Sequence, residues 1–146
     1  MVEKTISHWK KVDILIVNSG EYVRWLVTEL TKADFEHSFA VNFYSALYSV
    51  LSIMPHMLEH NSGHIVFVNS LDAKKGLPKY RPYVAVKFAL TGFIEVRRQE
   101  LRGSAIHVTT VLPGRIDTPM IKNTKVPWIS RKVPPEKVAR AIIRGI

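Results

Sequence analysis

Tyr83 and Lys87 stand four residues apart in PYVAVKFAL, so on a helix they share one face, one turn from each other. A phenol ionises near pH ~10, and a cation fixed close by favours the phenolate, bringing the group toward the range where it exchanges protons at neutral pH. Alone, the pair reads more readily as two residues on a helix surface. A second pattern lies in HMLEH, where His56, Glu59 and His60 match the His-x-x-Glu-His of some zinc proteases. It follows Pro55 and straddles the expected end of a helix, which argues against a metal site. His8, His37, His64 and His107 are isolated. Cysteine is absent, which excludes a disulfide framework, a thiol nucleophile and a thiolate metal site.

The elements that must position these residues follow from the order of apolar runs and turn formers. VDILIV, ended by Asn18-Ser19-Gly20, predicts a strand buried on both faces. Thr31 to Asp34 precede FEHSFAVNFYSALYSVLSIMPHMLEH, whose length and apolar recurrence predict a helix interrupted or ended near Pro55. Asn61-Ser62-Gly63 is a turn, and GHIVFVNS after it predicts a second strand. Pro82 suits the first turn of the helix carrying Tyr83 and Lys87, and Gly103 ends that helix. IHVTTVL predicts a third strand, stopped by Pro113-Gly114. An irregular stretch from Arg115 to Val133 leads to Pro134-Pro135-Glu136, which starts a last helix. Strand and helix in alternation with long crossovers give an α/β fold, a parallel doubly wound sheet with flanking helices, in one domain. Ligands of such sheets bind beyond the carboxyl ends of the strands, here Asn18 to Gly20, Ser70 and Pro113 onward.

No apolar run approaches the ~20 residues that cross a bilayer and no secretory signal opens the chain, so the expected compartment is the cytoplasm and no membrane partner is expected. The net charge of +9 is spread over short clusters without interleaved aromatic residues, which argues against nucleic acid as a partner.

Five segments in order carry a resemblance. Ser70 precedes the Tyr-x-x-x-Lys of YVAVK by 13 positions; DILIVNSG is similar to a strand ending in Asn-Asn-Ala-Gly; AVNF holds Asn42 in the following helix; VLPGRIDTPM is similar to a Pro-Gly-x-x-x-Thr segment. Together these resemble the short-chain dehydrogenases/reductases, from about Val12 to the last helix. The resemblance implies a Rossmann-like fold, NAD or NADP as cofactor, and interconversion of a ketone or aldehyde with an alcohol by hydride transfer. Tyr83 would be the general acid/base, Lys87 would depress its pKa and hold the nicotinamide ribose, Ser70 would hydrogen-bond the substrate oxygen, and Asn42 would hold a water in a proton relay. Asn18 and Gly20 would lie against the adenosine part of the cofactor, and Pro113, Gly114, Ile116 and Thr118 against its nicotinamide end. The segment from Met120 to Arg131, with Met120, Ile121, Val126, Trp128 and Ile129, would cover an apolar or amphipathic small-molecule substrate. A homo-oligomer joined through the helices around Asn42 and Tyr83 is also implied.

Val17, Ser19 and Val86 depart from the family's usual residues without touching the four catalytic positions. A larger departure is the absence of a Thr-Gly-x-x-x-Gly-x-Gly turn before DILIV, so the domain (residues 1–146) reads as a partial, three-stranded catalytic half with its diphosphate-binding part absent. The neighbour of DILIV in the family's sheet would then be missing, leaving a bare edge prone to pairing or aggregation. The alternative function is a non-catalytic fragment that serves as an assembly or binding module.

Overall fold

The computed structural model describes residues 2–22, 29–76, 81–121 and 132–146. A first helix, α1 (Val2–Trp9), was not legible in the sequence; its Val2 and Ile6 pack against the core. Strand β1 (Ile14–Val17) follows, then α2 (Lys32–Phe39), which starts at a reciprocal cap: the Asp34 amide donates to the Thr31 hydroxyl and the Asp34 carboxylate accepts from the Thr31 amide. Helix α2 passes without a break through a π-helical turn, Ala40–Tyr44, into α3 (Ser45–Glu59). Strand β2 (Gly63–Val68), α4 (Arg81–Glu100), β3 (Ile106–Val111) and α5 (Pro135–Arg144) complete the order.

The strands are parallel in the order β1-β2-β3, with Val17 opposite Phe67 and Val68 opposite Val111. Their carboxyl ends therefore reach one edge of the sheet together, which sets Asn18, Ser70 and Pro113 side by side. The core lies between the sheet and helices α3 and α4, where Val50, Ile53, Met57, Ile65, Phe67, Leu90 and Ile94 are buried. Fully burying a side chain of this size contributes about 1.5–3 kcal/mol, and that packing holds α3 and α4 against the sheet.

Two expectations are corrected. Pro55 neither interrupts nor ends α3, which runs to Glu59 and is capped at His60. Proline cannot donate to the carbonyl of Leu51, but Leu51 and Pro55 are both on the exposed side, where water can take up the freed carbonyl, while Ile53, Met54 and Met57 anchor the helix inward. Strand β1 is not buried on both faces: Leu15 and Val17 turn to the core, whereas Ile14 and Ile16 are 42% and 48% exposed. On the sheet face they share with His64 and Thr109, the end of α5 reaches Thr109, whose hydroxyl donates to the Gly145 carbonyl at 2.9 Å, but among the described residues Ile14 and Ile16 stay largely uncovered.

The helix ends follow local chemistry. Helix α4 is followed by Gly103 at φ +84, a backbone conformation that costs glycine little and other residues more. Among the described residues no helix is long and apolar enough to cross a membrane.

Candidate active site

Four of the residues singled out in the sequence meet at the carboxyl edge of the sheet. Ser70 ends the extended stretch after β2 and caps a short 3-10 turn, Leu71–Ala73, its hydroxyl accepting from the Asp72 amide at 3.1 Å. Tyr83 and Lys87 project from the first turns of α4. The Ser70 and Tyr83 side chains are hydrogen-bonded, and the Lys87 ammonium lies 5.5 Å from the centre of the Tyr83 ring. Asn42 comes from the π-helical turn, where the Ser45 amide reaches back to the carbonyl of Ala40. A single π turn inside an α-helix recurs at functional positions, and it was not legible in the sequence.

Asn42 is 1% exposed and spends both ends of its amide. Its Nδ2 donates to the Ser38 carbonyl at 3.0 Å, and its Oδ1 accepts from the Glu21 amide at 2.9 Å. The turn after β1 is thereby tied to the helix. Gly20 closes the connection to Lys87: a Cβ there would stand 3.0 Å from Asn42 Oδ1 and 3.9 Å from Lys87 Nζ. Asn69, which the sequence reading passed over, braces the other side. Its Nδ2 donates to the Thr91 hydroxyl at 2.9 Å and to the Lys87 carbonyl at 3.3 Å, holding the turn of α4 that carries the lysine.

Burial dominates the electrostatics. Lys87 is 4% exposed, and desolvation lowers its pKa from 10.5 to about 8. Tyr83 differs from the sequence expectation that Lys87 depresses its pKa. Its pKa is raised, chiefly by burial and further by the nearby Asp72 carboxylate, against the opposing hydrogen bond from Ser70. The lysine faces the ring, and the cost of a buried phenolate decides the direction. Burial also raises the Asp72 carboxyl, with Arg115 pulling it back.

The segment after β3 joins the site through the Ser70 turn. The Leu71 amide donates to the Pro113 carbonyl at 3.0 Å, and Gly114 faces the Leu71 side chain. Ile116 forms an isolated parallel bridge with Val133, and the Thr118 amide donates to the Ile116 carbonyl at 2.9 Å. Asn18 stands exposed at the end of β1, while Ile116 and Thr118 are half-buried. Met120 and Ile121 fall in a 3-10 turn, Pro119–Ile121, and Met120 is exposed. Val126, Trp128 and Ile129 lie outside the described residues.

The HMLEH histidines are otherwise engaged. His56 Nε2 accepts from the Val12 amide at 3.4 Å, and His60 Nδ1 lies 2.9 Å from the His56 carbonyl. A cavity of about 450 Å3, lined by His64, Arg102, His107 and Thr109 among others, opens near the amino ends of β2 and β3, away from Tyr83.

A family model for short chain dehydrogenases matches residues 1–127, the stretch that contains Asn42, Ser70, Tyr83 and Lys87. The chain belongs to the short-chain dehydrogenases. Among curated members, an oxidoreductase of Staphylococcus saprophyticus is 31% identical over all of this chain and 62% of its own length. A 3-ketodihydrosphingosine reductase of Dictyostelium discoideum is 33% identical over 93% of this chain and 44% of its own. A 3-oxoacyl-[acyl-carrier-protein] reductase of Thermotoga maritima is 29% identical over 98% of this chain and 62% of its own. An actinorhodin polyketide ketoreductase crystallised with NADPH superposes with a TM-score of 0.85 at 25% identity, covering 99% of this chain and 64% of that one. The chain thus spans less than two thirds of the length of the dehydrogenases it matches, and its three parallel strands with their flanking helices superpose on part of their Rossmann fold.

Proposed function

We propose that this chain carries the proton-transfer and nicotinamide-side chemistry of an NAD(P)-dependent oxidoreductase that interconverts a small carbonyl compound and its alcohol. The observation that carries this reading is the convergence of Ser70, Tyr83 and Lys87 at one strand-end edge, with the Gly20 backbone tied to Asn42 beside the lysine.

The residues fit a nicotinamide nucleotide on two counts. The absence of a Cβ at Gly20 leaves a shallow cradle over Asn42 and Lys87, and a side chain there would fill it. The Lys87 ammonium is buried, and no hydrogen bond or ion pair meets it among the described residues, so it is poised for a ribose hydroxyl. Asn18, Gly20, Tyr83, Lys87, Pro113, Gly114, Ile116 and Thr118 would hold the nucleotide, which when bound supplies or accepts the hydride. NADP or NADPH is bound in solved relatives, which supports a nucleotide of this class here.

In the reductive direction Tyr83 is the proton donor. Its raised pKa keeps the phenol protonated at neutral pH, and the proton passes from its hydroxyl to the substrate oxygen as negative charge develops there. The Ser70 hydroxyl, beside Tyr83, turns its proton from the phenol to the same oxygen and stabilises that charge. Lys87, charged at pH 7 with a pKa of about 8, favours the tyrosinate that remains. Asn42 fixes the turn that carries Gly20 and would orient a water leading to Lys87.

Fluorescence titration with NADPH and NADH tests the nucleotide part of this reading. Saturable binding to the parent chain that is weakened at least about tenfold by Gly20→Leu is expected, because the added side chain would collide with Asn42. No saturation up to millimolar nucleotide would contradict it. A second reading, a non-catalytic module that pairs through its sheet edge, is favoured by the exposure of Ile14 and Ile16 on edge strand β1. It predicts self-association together with absent nucleotide binding.

A further inference from the structure

We propose that Tyr22 is a positioning residue for Tyr83, and that the hydrogen bond between Glu21 and His37 latches the turn that carries Tyr22. The inference rests on the reading of Tyr83 as the proton donor and extends it to residues outside the four catalytic positions.

Three contacts join the turn after β1 to separate elements. The Glu21 amide is held by Asn42 Oδ1 at 2.9 Å, from the π-helical turn. The Glu21 carboxylate reaches His37 of α2 with both oxygens 3.1 Å from Nε2. Between these anchors and the site, the Tyr22 ring meets the Tyr83 ring edge to face, with centroids 4.8 Å apart and planes at 87°. That geometry sets the positive edge of one ring against the electron-rich face of the other and restricts the tilt of the phenol. Residues 20 to 22 thus form a clamp: one end backs onto Asn42 and Lys87, the other holds the ring whose hydroxyl must face the substrate.

The clamp also covers Tyr83. Among the described residues, the groups around the phenol include Tyr22 from this turn, Ser70 and Asp72 from the turn after β2, and Lys87 from its own helix. Of these, Tyr22 contributes an aromatic surface to it from the β1 side. Losing it admits water to the phenol, and water favours the phenolate.

The test uses the full chain labelled with 13C-tyrosine, the Tyr83 ring signal being identified by its loss in Tyr83→Phe. Tyr22→Ala is expected to shift the Tyr83 signal at neutral pH and to lower the pH at which it titrates. It should also reduce kcat about tenfold with little change in the carbonyl KM, as misorientation of a proton donor does. Tyr22→Phe should restore both relative to the alanine variant, since it keeps the ring. His37→Gln alters a largely exposed contact outside the core; it should shift the Tyr83 signal in the same direction by a smaller amount. An unmoved Tyr83 signal in Tyr22→Ala, or equal losses in the alanine and phenylalanine variants, would overturn the positioning role. An unmoved signal in His37→Gln would overturn the latch. Absence of turnover in the parent would overturn the oxidoreductase reading instead, and the signal shifts would still decide the clamp.

Discussion

Lys87 carries the sharpest conflict between stability and function at the level of a single residue. Its pKa falls from 10.5 in an unfolded chain to about 8 in the folded one, so the folded state binds fewer protons between those values. Folding is therefore expected to gain stability as pH rises from about 8 to 10.5, and to bear the full cost of the buried charge below about 8. At 1.36 kcal/mol per unit, that cost is about 3 kcal/mol at pH 7. Lys87→Met should accordingly stabilise the chain at pH 7 by an amount of that order in urea unfolding while lowering turnover; a destabilised variant would show that the ammonium is better satisfied than its burial indicates. Carbonyl reduction should decline as pH rises through about 8, because Lys87 loses its charge there while Tyr83 stays protonated, and a pH series of kcat/KM measures it. The pairing of Tyr83 and Lys87 was legible in the sequence because a separation of four on a helix fixes a shared face whatever surrounds it, and Ser70 was legible as the polar stop after a strand. The direction of the Tyr83 shift was not legible, since it depends on burial, and burial is a property of the packed site.

Among the elements, the continuous helix from Lys32 to Glu59 determines where Asn42 points. Its apolar recurrence announced a helix, but periodicity does not separate a π turn from the α turns on either side, so the local widening at Ala40–Tyr44 was hidden. Pro55 was misleading for the opposite reason: its missing donor matters only where the opposing carbonyl is buried, and at this position it faces outward. Asn42 itself satisfies the Ser38 carbonyl and the Glu21 amide. Asn42→Ala should cost about 2 kcal/mol, since it removes two hydrogen bonds, one of them in a buried place. Urea unfolding followed by circular dichroism measures the loss; a change below about 0.5 kcal/mol would show that water replaces the amide.

Across the whole molecule, one face of the sheet is closed by α3 and α4 and the other presents Ile14 and Ile16. Parallel sheets are normally covered on both faces, so this side invites a partner surface. The parent chain is expected to self-associate with rising concentration in light scattering, and Ile16→Lys should shift it toward monomer; a monodisperse monomer at all concentrations would argue that the face is tolerated bare. The parallel direction of the strands was legible in the sequence from the alternation of strand and helix. The exposure of β1 was only half legible, because an apolar run reads alike on a covered and an uncovered face.

The most direct measurement is steady-state oxidation of NADPH and NADH by the purified chain against a panel of ketones and aldehydes, with Tyr83→Phe alongside. Turnover that falls at least about a hundredfold in the phenylalanine variant, with nucleotide binding retained, is the expected result, since general acid catalysis contributes about 10²–10⁴-fold. Equal turnover in the two proteins would contradict the assignment of Tyr83 as the proton donor and with it the account of the site.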